Sequence, residues 1–172
     1  MKQKYFIDSH KGITFLFILF LLYFYNAWDN MTILIYFALH GSYGILWILK
    51  SYIFPDRQWE LQCSLWYGLL IWFGLALYWI TPYLIIRYNP VIPNWYLVCA
   101  IIIYIFGVFF HFTSDMQKFI QLKYNPNQLI TDGMFKKIRN INYLGELFIY
   151  VGFPSIDNIN SIFYLIVLAI LN

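Results

Sequence analysis

Residues 32–53 read TILIYFALHGSYGILWILKSYI. A run this long and this apolar is enough to cross the roughly 30 Å hydrocarbon core of a bilayer as one helix. The polar residues inside it carry the argument. His40, Tyr43, Trp47 and Lys50 recur at three- and four-residue spacing, so they form one stripe along a helix. Polar groups at that depth turn toward the interior of a helical bundle, away from lipid. Gly41, Ser42 and Gly44 let a neighbouring helix come close. The stripe has two readings. His40 bonds across helices, which is the preferred one, or His40, Tyr43 and Trp47 line a substrate.

Composition extends this reading to the whole chain. Of 172 residues, 62% are hydrophobic, 23% aromatic and only 11% charged, against about 25% charged in soluble domains. The sequence therefore predicts an all-α integral membrane protein, residues 1–172 forming a single membrane domain. A four-span bundle occupies 1–112, and 113–172 holds a polar segment and a helical hairpin. Span one is read over Ile13–Trp28, whose aromatic end (Tyr23, Phe24, Tyr25, Trp28) lacks the small residues of a cleavage site. The expectation is thus a retained first span. Span two is Thr32–Ile53, span three Leu61–Ile86 and span four Trp95–Phe112. Pro55 and its charged neighbours break the chain after span two, and RYNPVIPN breaks it after span three.

The last apolar block is too short on each side of its break to cross a membrane. Residues 143–153 and 162–171 flank PSIDNINS, and each half reaches only about 15–17 Å. Glu146 and Asp157 require protein or water around them, which favours a re-entrant hairpin. With the N-terminus on the inside, ten of the eleven basic residues fall on one face and Arg87 alone on the other. By the positive-inside rule that face is the cytosol or an organellar matrix. An organellar inner membrane or the endoplasmic reticulum fits. Membrane lipids and other membrane subunits are the expected partners. A net charge of +3 on a membrane protein gives no reason to invoke nucleic acid.

Two constellations gather polar chemistry at the basic face. In His111-Phe-Thr-Ser114-Asp115-Met-Gln117-Lys118 a continued helix places His111 and Asp115 on one side, with Ser114, Gln117 and Lys118 on an adjacent face. In LITDGMFKKIRNINYLGELFIY, residues 129–150, Gly133 suits a turn and Arg139, Asn142 and Tyr143 follow. Gly145 permits close approach, and Glu146 lies a turn inside the membrane, where an ionisable group is a functional candidate by default. A Glu146–Arg139 or Glu146–Lys pair is the plainer alternative. Three scattered histidines and the isolated Cys63 and Cys99 supply no metal site.

Together these stretches resemble a superfamily of membrane enzymes that includes the isoprenylcysteine carboxyl methyltransferases, the steroid 5-alpha-reductases and the sterol C14-reductases. The residues that carry the resemblance are Asp115, Lys118, Thr131, Gly133 and Arg139-Asn140-Ile141-Asn142-Tyr143-Leu144-Gly145-Glu146, over about residues 111–150. The resemblance implies a C-terminal half that binds S-adenosylmethionine or NADPH. It assigns that cofactor to Asp115, Gln117, Lys118, Thr131, Gly133, Arg139, Asn142, Tyr143, Gly145 and Glu146. No residue takes a catalytic role on this basis. Two departures follow. Ile141 stands where relatives have proline, which loosens the turn before Asn142. Relatives also continue past the last helix with a segment that walls the cofactor, whereas this sequence ends at Asn172. The preferred expectation is a non-catalytic descendant kept as a structural or accessory subunit. The alternative is a lipid-modifying enzyme using one of the two cofactors.

Overall fold

The computed structural model describes residues 1–152. Helix α1 spans Gln3–Phe24, α2 Met31–Ile53, α3 Leu65–Ala76, α4 Ile80–Tyr88, α5 Asn94–Tyr124 and α6 Ile141–Gly152. Two 3₁₀ turns, Leu77–Trp79 and Gly133–Lys136, join α3 to α4 and precede α6. There is no strand among the described residues. Taking α3 and α4 as one bent span, four helices are long and apolar enough to cross a membrane. The protein is therefore an all-α membrane protein. The PSIDNINS break, Asp157 and the second half of the expected hairpin lie outside the described residues.

The span boundaries have local causes. Asn30 caps α2 by accepting the Thr32 amide at 2.8 Å, and Phe54-Pro55 ends it. Pro82 lacks the amide that would bond back to residue 78, and the 3₁₀ turn Leu77–Trp79 lies just before it. Asn89 closes α4 in the left-handed conformation, φ 50°. The turn after it is tied to the start of α2: Asn30 Nδ2 donates to Asn89 Oδ1 at 2.7 Å and to the Pro90 carbonyl at 2.9 Å. Helix α5 has 31 residues and so runs about 46 Å, well beyond a roughly 30 Å core. Its last turns leave the membrane at the basic face and carry His111 through Lys118 without interruption.

Span one begins ten residues earlier than the sequence reading placed it. The polar turn Asp8-Ser9-His10-Lys11, expected outside the span, is helical because α2 supplies partners for it. Trp47 Nε1 and Ser51 Oγ donate to Asp8 at 3.1 and 2.7 Å. His10 is buried, stacked on Trp79 at 5.0 Å and edge-on to Trp72 at 5.4 Å. Lys11, counted among the basic-face residues, is instead buried inside the bundle.

The N-terminal residues fold back as a strap. Gln3 and Lys4 amides donate to the Leu61 and Trp59 carbonyls at 3.0 and 2.9 Å, and Met1 accepts the Cys63 amide at 2.8 Å. Lys2 and Lys4 both pair with Glu60. These bonds, the Lys2 one foremost, hold the Glu60 carboxyl below the usual carboxylate range. A depressed carboxyl pKa adds stability that is present above the unfolded value, about 4.3, and is lost as pH falls through the folded value. The strap should therefore hold at neutral pH and loosen only in acid. Relative to their intrinsic exchange rates, the Gln3 and Lys4 amides should lose protection below about pH 4, and Glu60→Gln should remove that loss.

Helices α5 and α6 cross at bare backbone. A methyl on Gly107 would lie 2.6 Å from the Ile149 nitrogen, and one on Gly145 would lie 2.9 Å from the Gly107 carbonyl. Both are closer than real Cβ contacts allow, so only glycine fits at this crossing. Gly74, by contrast, has nothing within 4 Å of an added methyl. Gly107→Val should lower the melting temperature in detergent and expose α6 to protease. Gly74→Ala should leave stability unchanged or raise it by up to about 1 kcal/mol.

Candidate functional site

The stripe on α2 meets the helix exit of α5 in a buried ion pair. Lys50 Nζ lies 2.6 Å from Asp115 Oδ2, with both side chains nearly inaccessible to solvent. His111 Nε2 stands 3.7 Å from the same oxygen, one turn along α5. Its Nδ1 is 3.2 Å from the Asn142 carbonyl, which can only accept, so Nδ1 carries the proton. One ion pair and one hydrogen bond thus link α2, α5 and the start of α6.

Trp47 is the hub beneath that pair. Its ring stacks on His111 with centroids 6.1 Å apart, and Lys50 Nζ lies 4.6 Å from its centroid. Lys11 Nζ lies 4.9 Å from the same ring, 4.7 Å from Tyr43, and 5.8 Å from each of Tyr78 and Tyr150. The amine also donates to Tyr150 Oη at 3.4 Å, and Glu146 lies within its electrostatic range. Removing an ammonium from water costs several kcal/mol. Cation–π contacts return about 0.5–2 kcal/mol each. Several rings, a phenol and a nearby carboxylate together are what make this placement tolerable.

The substrate-lining candidates share the interior stripe with these charges. His40 Nδ1 is 2.7 Å from Tyr36 Oη, Tyr43 faces Lys11, and Trp47 donates to Asp8. All three are buried.

Of the ten cofactor candidates, Asp115 and Lys118 line one cavity of about 290 Å³. Lys50, Phe54, Pro55, Asp56, Arg57, Glu60, Phe119, Leu122 and Lys123 complete its wall. Lys118 lies 3.8 Å from Asp56 across the opening. The other candidates go elsewhere. Gln117 Nε2 donates to the Asp132 carbonyl at 3.0 Å and to its carboxylate at 3.2 Å, while its Oε1 accepts the Met134 amide at 2.9 Å. This pins the Gly133 turn, φ 52°, onto α5, and a side chain on Gly133 would strike Gln117. Gly145 serves the helix crossing. Thr131, Arg139 and Tyr143 are exposed, while Asn142 and Glu146 are half-buried. Neither Arg139 nor Glu146 makes an ion pair among the described residues, so neither the Glu146–Arg139 pair nor a Glu146–Lys pair forms there.

One comparison identifies the family: the description Protein of unknown function (DUF1295) matches residues 2–171. The chain belongs to the DUF1295 family. Searches of curated proteins and of solved structures returned no match. The matched region of this DUF1295 protein takes in the α2–α5 ion pair and the cavity beside it, so both belong to the family domain.

Asp8, Lys11, Arg57 and Tyr150 were not singled out from the sequence. The signal that could have found them is the spacing of Asp8 and Lys11, three residues apart just ahead of an apolar run, opposite the Trp47/Ser51 donors. The Lys50–Asp115 pair is testable by removing its charges in turn. Lys50→Met alone leaves a buried carboxylate uncompensated and should cost about 3–5 kcal/mol. Adding Asp115→Asn should recover much of that loss in thermal unfolding in detergent micelles.

Proposed function

We propose that this DUF1295 protein is a membrane-embedded relative of the methyltransferase and steroid-reductase superfamily that works as a non-catalytic structural or accessory subunit of a larger membrane assembly. The observation that supports this reading is the use to which the signature residues are put. Asp115 is engaged by Lys50, Gln117 by the Asp132–Met134 turn, and Gly145 by α5. A cofactor cleft needs such groups free and converging on one space. Here they hold helices and a turn together, and Arg139 and Tyr143 point into none of the cavity's wall.

The bent span adds a surface for a neighbour. Its most apolar window is 28% buried, against 50% for α2, and Trp66, Leu70 and Phe73 on it are exposed. Such a face suits lipid or another membrane helix equally well in composition.

A lipid-modifying enzyme using S-adenosylmethionine or NADPH is the second reading. The observation favouring it is the cavity itself, where Asp115 and Lys118 meet Arg57 and Lys123. Calorimetry on the purified chain separates the two. The scaffold reading expects no saturable heat with either cofactor. Saturable binding that Lys118→Ala weakens tenfold or more, about 1.4 kcal/mol, would replace it with the enzyme reading.

A further inference from the structure

The cavity has a chemistry of its own. Its floor is the Lys50–Asp115 pair, and one Asp115 oxygen is already used by Lys50. The other, Oδ1, is buried and has no hydrogen-bond partner among the described residues. A buried carboxylate oxygen left unmet carries a desolvation penalty, which a donor entering the cavity would relieve. That donor is a hydroxyl and not an ammonium, because Lys50, Lys118, Arg57 and Lys123 already surround the space with positive charge.

The rim and walls specify the rest of the ligand. Arg57 and Lys123 are exposed and form no ion pair among the described residues, and Lys118 is held only loosely by Asp56 at 3.8 Å. Glu60 is taken by Lys2 and Lys4, so it does not neutralise these cations. Phe54, Pro55, Phe119 and Leu122 give the same cavity an apolar wall. Phe54 follows the last residue of α2, and Phe119 and Leu122 lie on the part of α5 that leaves the membrane. A ligand seated there has an anionic group at the cationic rim, a hydroxyl on the floor and hydrocarbon along the wall.

We infer that this cavity binds the headgroup of an anionic, hydroxyl-bearing glycerophospholipid, its phosphate at Arg57, Lys118 and Lys123 and its hydroxyl donating to Asp115 Oδ1. The acyl chains leave past Phe54, Phe119 and Leu122. The site does not depend on whether the chain is catalytic.

Native mass spectrometry of the purified full chain in detergent tests it, with dioctanoyl lipids as probes. Phosphatidylglycerol should bind at least about tenfold more tightly than phosphatidylethanol, which has the same charge and no hydroxyl, the scale of one hydrogen bond to a charged group. It should also bind more tightly than phosphatidylcholine by at least tenfold, and more tightly than soluble glycerol 1-phosphate. Arg57→Ala/Lys123→Ala changes exposed residues only. That variant should keep the wild-type melting temperature and lose at least fivefold in phosphatidylglycerol affinity. Equal binding of phosphatidylglycerol and phosphatidylcholine, or a double variant that binds like wild type, overturns the site. Equal binding of phosphatidylethanol overturns the role of Asp115, and equal binding of glycerol 1-phosphate replaces the lipid with a free phosphate ester. None of these outcomes changes the cofactor calorimetry, so failure here and failure of the scaffold reading are told apart.

Discussion

Two lysine ammonium groups reach the same tryptophan inside this bundle, and the arrangement of the helices follows from what each needs. Lys50 is matched by a carboxylate from α5, at 2.6 Å. Lys11 has no carboxylate in contact among the described residues and relies on the faces of Tyr43, Trp47, Tyr78 and Tyr150, drawn from α2, the α3–α4 junction and α6. A charge in a low-dielectric interior must be surrounded by partners from several directions at once. Each lysine therefore fixes the rotation of more than one neighbouring helix. Apolar packing alone does not do this in a membrane, because lipid tails satisfy an apolar helix face as well as another helix does.

That constraint explains why glycine and aromatic residues sit where they do. The Lys11 carbonyl closes on α2 at Gly44, which leaves Tyr43 and Trp47 on either side of the approach to receive the ammonium. Likewise, Gly107 and Gly145 draw α6 onto α5 so closely that Asn142 reaches His111 and Tyr150 reaches Lys11. Close crossings made by small residues are the means by which the polar interior is assembled. A bulkier residue at either crossing would separate the partners of a buried charge as well as spoiling packing.

Much of this was legible in the sequence. Length and hydropathy place four spans, and span two is found to within one residue because Asn30 and Pro55 mark both ends. The interior stripe His40, Tyr43, Trp47 and Lys50 is visible from spacing, and so is the continuation of α5 through Asp115. The start of span one was not legible, because Asp8, His10 and Lys11 look like an aqueous tail until α2, the bent span and α6 supply their partners. Single-helix patterning records which face a residue takes but not what stands opposite. For the same reason the sequence groups Asp115, Gln117 and Arg139 by their order in the chain. The structure separates them, giving Asp115 to α2, Gln117 to the Gly133 turn and Arg139 to solvent.

The separation bears on how a motif should be read in a membrane protein. A short sequence signature of acids, amides and glycines is compatible with binding a cofactor and with holding an amphipathic turn at the membrane boundary, since both tasks need donors and acceptors at one depth. What distinguishes them is where the hydrogen-bonding capacity ends up. At Gln117 the amide nitrogen and oxygen both bond to the Asp132–Met134 segment. Asp115 is different: Lys50 uses one of its oxygens and the other is buried without a donor among the described residues. Unused capacity in a buried charged group is rare in a folded protein and calls for an explanation. By that measure the signature residues differ among themselves: Gln117 has both amide atoms bonded within the fold, and Asp115 has one oxygen left over among the described residues.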